Sequence, residues 1–385
     1  MEEIKTIKKL IVGFTDPGGV VLIPGQMKWF KEKGYITYLM CPNAQRVEEY
    51  CINEGCKHIN VSIEREISIF KDLMSLFSIF FIMRKIKPDI VNVGTPKMGL
   101  LGMLAAKFLG VKRRIYTCRG FRFEHEKGLK RLILIFMERL SGYCSQDIIC
   151  ISPSLRDLAI NERIFNPQKC IVINKGSSNG FDLNRFSTKS VNNNHKMQLK
   201  KTLRIEQKFV FGTISRLIDR KGIKELYNAF FNINNEYPNT ILLIVGSTEK
   251  EQISDKKVLV DIKSHPSIIM TGSQKNIPLY LSVMDLFLLP AWWEGFGNVI
   301  VQASAMGIAV ISTNGTGTKD AVCNGYNGVL VPVKDSKSLY EAMKNLMIND
   351  KERKRLGNNG IEWAKNFSNE IIWQGMNELY NRQKR

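Results

Sequence analysis

Residues 290–307 read Pro-Ala-Trp-Trp-Glu-Gly-Phe-Gly-Asn-Val-Ile-Val-Gln-Ala-Ser-Ala-Met-Gly and directly follow the apolar run Leu286–Leu289. A short apolar run, a glycine-flanked turn and then apolar residues at helical spacing from Asn298 spell strand, loop, helix. Read generically, this is a tight βα turn capped by Glu294. Read chemically, it offers more. A carboxylate at a strand end accepts hydrogen bonds from sugar hydroxyls, and the amides around Phe296, Gly297 and Asn298, at a helix start, donate to phosphate. Gln302 lies one turn into that helix and points back toward the same place.

The same alternation runs outward in both directions. Strand candidates before it are Leu10–Phe14, Ile36–Met40, Ile90–Val93, Arg114–Thr117, Ile148–Ile151 and Ile171–Ile173. Helical patterns intervene at Pro24–Lys33, Val47–Asn53, Ile69–Ile86, Met98–Leu109 and Leu129–Leu140. After a polar stretch, 187–200, the alternation resumes with Phe209–Ile214, Ile241–Val245, Ile268–Met270, Leu286–Leu289, Val310–Ser312 and Gly328–Val331. Helices at Lys224–Asn235, Asn298–Met306, Ser338–Met347 and Lys351–Phe367 accompany it. Strands apolar on both faces and separated by helices mean parallel sheets covered on both sides. The expected fold is therefore α/β, with two doubly wound Rossmann-like domains, 1–190 and 191–385, facing a central cleft. The stretch 187–200 reads as a linker or a loose surface loop. A last helix, about 369–385, is placed either in the second domain or packed back on the first. Such sheets bind ligands beyond the carboxyl ends of their strands.

The 385 residues suit two domains, and 44% apolar with 24% charged residues excludes disordered, collagen-like and coiled-coil chains. Net charge is +20, from 56 Lys and Arg against 36 Asp and Glu, which calls for an anionic partner. The opening MEEIKTIKKLIVGF reads as neither a signal nor a transit peptide. The richest apolar stretch, Ile67–Ile86, is broken by Lys71, Asp72, Arg84 and Lys85, so no spanning helix is expected. Eight cysteines without a Cys-x-x-Cys pair read as buried free thiols, and four scattered histidines suggest no metal site.

Two further loops follow strands. Thr15-Asp-Pro-Gly-Gly-Val20 carries Gly18 and Gly19, whose backbone could approach an anion, although a plain turn is an equal reading. It is neither a dinucleotide nor a P-loop motif. Gly212-Thr-Ile-Ser-Arg-Leu-Ile-Asp-Arg-Lys-Gly222 places Arg216 and Lys221 before a helix. A guanidinium and an ammonium there suit a diphosphate; the plain alternative is an exposed basic turn.

With these motifs the chain resembles the glycosyltransferase family 4 proteins of the GT-B fold, retaining nucleotide-sugar transferases. The resemblance covers nearly the whole length. It rests also on Lys175-Gly-Ser-Ser-Asn-Gly-Phe-Asp182, the strand end Leu243-Ile-Val-Gly246, Gly315-Thr-Gly-Thr-Lys-Asp320 and Gly325-Tyr-Asn-Gly328. It implies that Gly18, Gly19 and Gly246 border the donor, and that Arg216 and Lys221 neutralise the departing diphosphate. Glu294 would hold donor-sugar hydroxyls, with the Phe296–Asn298 amides on phosphate and sugar. The stretch Lys175–Asp182 looks like enzymes building capsular or O-antigen polysaccharide on a lipid carrier. The donor implied is a nucleotide sugar of N-acetylhexosamine type; its base is uracil or guanine, with UDP the expected carrier. The acceptor implied is a polyprenyl-diphosphate-linked saccharide. No cofactor or metal is implied, since Arg and Lys replace a divalent ion and no Asp-x-Asp occurs.

Two positions depart from the family. Gln302 stands where a second Glu grips ribose, and the amide weakens one charge-assisted bond by about 1 kcal/mol. Arg119, in Thr117-Cys-Arg-Gly120, stands where relatives place His. It is no base, and is expected either to contact donor or acceptor phosphate or to be an ordinary surface arginine.

From Lys107 to Arg139 the basic residues are Lys107, Lys112, Arg113, Arg114, Arg119, Arg122, Lys127, Lys130, Arg131 and Arg139, against Glu124, Glu126 and Glu138. With Leu129–Leu140 among them, this region suggests docking on an anionic inner membrane surface by a cytoplasmic, peripheral protein; the other reading is a helix packed on the sheet with a solvated basic face. Two competing classes remain: a catalytically weak scaffold of the same fold, separated by an assay of donor turnover, and a basic nucleic-acid-binding protein. The latter needs interleaved aromatics or a known helix motif, and neither is present.

Overall fold

The computed structural model describes residues 7–64 and 68–382. Residues 1–6 of the opening stretch, Ile67 at the head of the richest apolar stretch, and the last three residues of the expected C-terminal helix lie outside the described residues. Contacts divide the chain into two units, 1–180 with 369–385, and 181–368. The change of unit thus falls at Gly180, ahead of the polar stretch near 190.

The first unit is a seven-stranded parallel sheet of β1 (Lys9–Gly13), β2 (Ile36–Cys41), β3 (Lys57–Asn60), β4 (Ile90–Gly94), β5 (Arg113–Cys118), β6 (Asp147–Cys150) and β7 (Cys170–Ile171). Its order is β3-β2-β1-β4-β5-β6-β7. The chain order reverses between β1 and β4, the switch point at which such sheets hold ligands. Its helices are α1 (Gln26–Glu32), α2 (Gln45–Glu54), α3 (Ile69–Ile86), α4 (Pro96–Phe108), α5 (Gly128–Cys144) and α6 (Pro153–Asn161). In the second unit come α7 (Asn193–Leu203), β8 (Phe209–Ile214), α8 (Ile223–Glu236), β9 (Thr240–Val245), α9 (Lys256–Ser264), β10 (Ile268–Met270), α10 (Ile277–Leu281), β11 (Leu286–Leu289), α11 (Asn298–Ala305), β12 (Val310–Thr313), β13 (Gly328–Val331), α12 (Ser336–Ile348) and α13 (Asp350–Ala364). Its parallel sheet runs β10-β9-β8-β11-β12-β13. The chain then returns to the first unit as α14 (Asn369–Asn381).

Two expectations need correction. The stretch 187–200 is not a bare linker: Thr188–Ser190 forms a 3-10 turn, and Asn192 accepts a hydrogen bond from the Asn194 N–H at the start of α7. An Asx cap makes a helix from a sequence whose apolar period is absent. Strand β3 escaped the sequence reading because only Ile59 of its four residues is buried.

Helix α14 is fastened to the first unit by buried polar contacts and aromatic packing. Asn179, from the loop after β7, accepts from Trp373 Nε1 (2.6 Å) and Gln26 Nε2 (3.0 Å), and donates to the Pro24 carbonyl (3.0 Å). Tyr380 stacks near Phe30, and its hydroxyl accepts from Asn92 on β4. The family-like stretch Lys175–Asp182 is thus partly a structural clasp. All eight cysteines are free thiols, six of them buried. Among the described residues no helix is long and apolar enough to cross a membrane.

Beneath the ligand end of this sheet, α5 buries Glu138, whose Oε2 accepts from the Tyr116 hydroxyl (2.9 Å) while Oε1 meets no partner. Burial pushes its carboxyl up to about 8. The folded chain therefore keeps a proton that the unfolded chain loses above its ordinary carboxylate range, and stability falls as pH rises from about 4.5 towards 8. Glu138→Gln, which mimics the protonated form, is expected to flatten that slope and to raise stability at pH 8 by a few kcal/mol. Urea denaturation of both proteins at pH 5.5 and 8 measures this; parallel pH slopes would refute it.

Candidate functional site

In the second unit the chemistry gathers where β8, β9, β11 and β12 end. The loop after β8 turns through Asp219–Lys221 and stops at Gly222, whose φ is +70° and where a Cβ would lie 2.0 Å from the Pro290 carbonyl oxygen. Only glycine permits that approach. It brings the loop onto the end of β11, where the Trp292 N–H donates to the Arg220 carbonyl (2.8 Å). From the other side, Gly317 (φ +73°) packs backbone to backbone on Glu294, and the Glu294 N–H donates to the Thr316 carbonyl (2.8 Å).

Between these loops Lys221 and Glu294 meet in a direct ion pair, both side chains largely buried. Arg220 stands 3.8 Å from the second oxygen of Glu294 and lies over the Trp293 ring at 5.4 Å. Burial, then the Arg220 and Arg216 charges, draw the Lys221 pKa below the usual lysine range, while the Glu294 carboxylate in contact with it resists the shift. Burial, then Arg216, likewise lowers Arg220. Two cations on one carboxylate leave an excess of positive charge, the electrostatic complement of a polyanion.

Arg216 is not drawn into that contact. Its Nη1 pairs with Glu249 (2.8 and 3.0 Å) near the surface. An exposed pair of this kind contributes about 0–1 kcal/mol and is readily given up to a phosphate. Arg220 lies in the same loop between Arg216 and Lys221, and its place against Glu294 is set by the folded backbone, not by spacing in the sequence.

The N–H groups of the glycines singled out in the sequence are engaged within the fold. The Gly18 N–H donates to Asp16 Oδ1 (2.8 Å) and the Gly19 N–H to the Asp16 carbonyl (2.9 Å), so both are already engaged. A Cβ on Gly19 would run into the Phe14 ring. The Gly246 N–H donates to the Gly272 carbonyl (2.9 Å), and its missing side chain lets β9 close on the Ser215 carbonyl. At α11 the helix start has no side-chain cap; the Gly297 N–H reaches the Gly317 carbonyl only at 3.4 Å, and the Asn298 N–H turns to the Phe296 carbonyl. Phe296 itself is buried against Phe367. Gln302 is on α11, one turn in and half-buried.

In the first unit, Arg119 follows β5. Its Nε donates to Ser178 Oγ (2.8 Å), its guanidinium lies over the Phe14 ring at 5.0 Å, and Nη1 is buried with no acceptor. Gly94, at the end of β4, leaves the room it occupies. The side chain thus spans the ends of β1, β4 and β5, beside the switch point. Only a sliver of it reaches solvent, and burial lowers its pKa to about 10, offset partly by Tyr116 and Tyr380. An ordinary surface arginine it is not.

A model described as "Glycosyl transferases group 1" matches residues 195–363, and "Glycosyl transferase 4-like" matches 16–152. The chain is 33% identical over 363 residues to the capsular polysaccharide biosynthesis glycosyltransferase CapM of Staphylococcus aureus, covering 94% of each. It is 30% identical to the Escherichia coli UDP-Gal:alpha-D-GlcNAc-diphosphoundecaprenol alpha-1,3-galactosyltransferase, over 79% of this chain and 78% of that one. Among solved structures it resembles HepE of Anabaena in complex with UDP, with TM-score 0.80 and 18% identity over 97% of this chain and 99% of the other.

Proposed function

The chain belongs to the glycosyltransferase family 4 proteins of GT-B fold, and from that premise we propose that it is a retaining enzyme of capsular or O-antigen polysaccharide synthesis. It moves an N-acetylhexosamine-type sugar from a UDP donor to a saccharide on a polyprenyl diphosphate, at the anionic inner face of the cytoplasmic membrane. The observation that carries the donor half of this reading is the Lys221–Glu294 pair flanked by Arg220. The acceptor half rests on the activity of the Escherichia coli relative, which acts on a diphosphoundecaprenol-linked sugar.

The mechanism follows from the charges. Without donor, Lys221 is held by Glu294. An arriving diphosphate offers Lys221, Arg220 and Arg216 a stronger partner, and Glu294 is released to accept hydroxyls of the donor sugar. As the anomeric C–O bond breaks, negative charge builds on the diphosphate where Lys221 and Arg220 already stand, largely withdrawn from water. The leaving phosphate takes the acceptor proton on the same face, so configuration is retained. The N–H groups opening α11 meet phosphate and sugar. No metal or cofactor enters this scheme; the cations serve in place of one.

A thermal-shift panel of nucleoside diphosphates and their sugars tests the donor. UDP at 100 times its dissociation constant adds about 2.7 kcal/mol. A shift with GDP and none with UDP would overturn the base assignment, and no shift with any would overturn the donor site.

Gln302 gives a second test. On α11 it faces ribose rather than the breaking bond, so its contacts are nearly equal in ground and transition states. Gln302→Ala is expected to raise the donor KM several-fold with little change in kcat, and Gln302→Glu to keep or tighten binding. A fall in kcat with unchanged donor affinity for Gln302→Ala would show that it does not hold the ribose.

A further inference from the structure

Helix α3 presents an apolar face that none of the described residues covers. Ile69, Phe70, Leu73, Met74, Phe77 and Phe81 are between 48 and 78% exposed. At 3.6 residues per turn they fall within an arc of about 140°. The opposite side, Ser75, Ile79 and Met83, is the buried one. The spacing over 69–86 predicts a helix covering the sheet, and α3 does so with one side only.

A second stripe runs nearby. Leu129, Leu132, Ile133, Phe136 and Tyr143 of α5 are exposed along an arc of about 100°. Helices α3 and α5 both pack against α4, which lies between them and is largely buried. All three are crossovers that advance the sheet in one direction, β3 to β4, β4 to β5 and β5 to β6, so right-handedness puts them on one face. The α3 and α5 stripes lie mainly in the N-terminal portions of their helices, towards the carboxyl ends of the strands.

Scattered apolar side chains on a surface need no explanation, but two parallel stripes of large ones do. Charge identifies what covers them. Residues 69–144 hold fifteen Lys and Arg against five Asp and Glu; nine of the basic side chains are exposed and none of the acidic ones is, while Lys97 and Arg119 are turned into the fold and do not count towards the face. Of those five, Asp72 pairs with Lys97, Glu126 pairs with Lys130, and Glu138 is buried. A second copy of so basic a face would be repelled, whereas an anionic lipid surface is attracted and receives the apolar stripes between its headgroups.

We propose that α3 and α5 together form the membrane-docking plane of the first unit, inserting the α3 stripe into an anionic leaflet with the flanking Lys and Arg on its headgroups. The inference rests on the lipid-linked acceptor proposed above and names the surface by which the enzyme reaches it. Docking by this face sets the ligand end of the first sheet close to the bilayer, where a lipid-bound diphosphate resides.

The test is sedimentation with phosphatidylglycerol/phosphatidylethanolamine vesicles at low salt. The wild-type chain is expected to bind, and Phe70→Ser/Phe77→Ser/Phe81→Ser to lose at least tenfold in vesicle affinity while keeping its UDP thermal shift. Unchanged binding by the triple variant overturns the α3 assignment. So does a concentration-dependent dimer in light scattering that the same variant dissolves, because the stripe is then a self-interface. Should the variant not fold, hydrogen exchange of the wild-type chain decides instead: vesicles must protect 69–81, and absence of protection there rejects the proposal. A protein that shifts with UDP but ignores vesicles sinks the docking plane alone; one that binds vesicles but no nucleotide sinks the donor reading alone.

Discussion

Lys221→Ala is expected to lower sugar transfer by at least two orders of magnitude. The lysine is largely buried, in direct contact with Glu294, and crowded by Arg220. A charge-assisted contact is worth about 1.5–3 kcal/mol, and a hundredfold loss corresponds to about 2.7 kcal/mol. Because the charge matters most as the diphosphate departs, the fall should appear in kcat as well as in donor affinity. Lys221→Met, which keeps the bulk but not the charge, should do as badly. Arg216→Ala is expected to cost less, since its guanidinium is about half exposed and paired outside the cluster with Glu249. Glu294→Gln should fall mainly on turnover, as it loses its grip on the reacting sugar while Lys221 stays available to phosphate. Steady-state kinetics with the identified donor measures all four. Near-normal transfer by Arg216→Ala/Lys221→Ala would end the diphosphate assignment.

Arg119→Met is expected to move stability and activity in opposite directions. The guanidinium is buried beside Phe14 and Ser178, one nitrogen has no acceptor, and its pKa is lowered to about 10 by burial. A buried charge without a counter-ion costs folding free energy, here on the order of 3–4 kcal/mol at about 1.4 kcal/mol per pKa unit. An apolar chain of similar length should therefore give a protein at least as stable in urea. If the charge is retained for a phosphate, donor or acceptor, transfer should nevertheless fall by about a hundredfold or more. Arg119→Lys should recover little, because one ammonium cannot keep the Ser178 bond and the stacking over Phe14 together. A variant that is destabilised and fully active would mean that Arg119 is a packing residue. Comparing the urea midpoint with kcat/KM separates the two.

Local pattern determined much of this protein. Strands β8, β10, β11 and β13 lie where runs of apolar residues end at turn signals, because strand formation there needs only neighbours in sequence. The placing of Glu294, Arg216 and Lys221 on loops after strands followed equally from local alternation. What the sequence could not decide were partners far along the chain. Lys221 meets Glu294 across 73 positions and Asn179 meets Trp373 across 194, and no periodicity encodes either. Arg220 stood in plain view, but its nearness to Glu294 depends on Gly222 and Gly317 pressing two loops together. The N–H groups of Gly18 and Gly19 read as open to an anion until Asp16 folded onto them. Helix α3 shows the limit most plainly. Its apolar residues encode a helix, but hydrophobicity alone does not say which side another element will cover. Only the packing of α4 against one side left the other bare. Secondary structure is written in spacing along the chain; a site and a surface are written in distances between segments that only the folded backbone brings together.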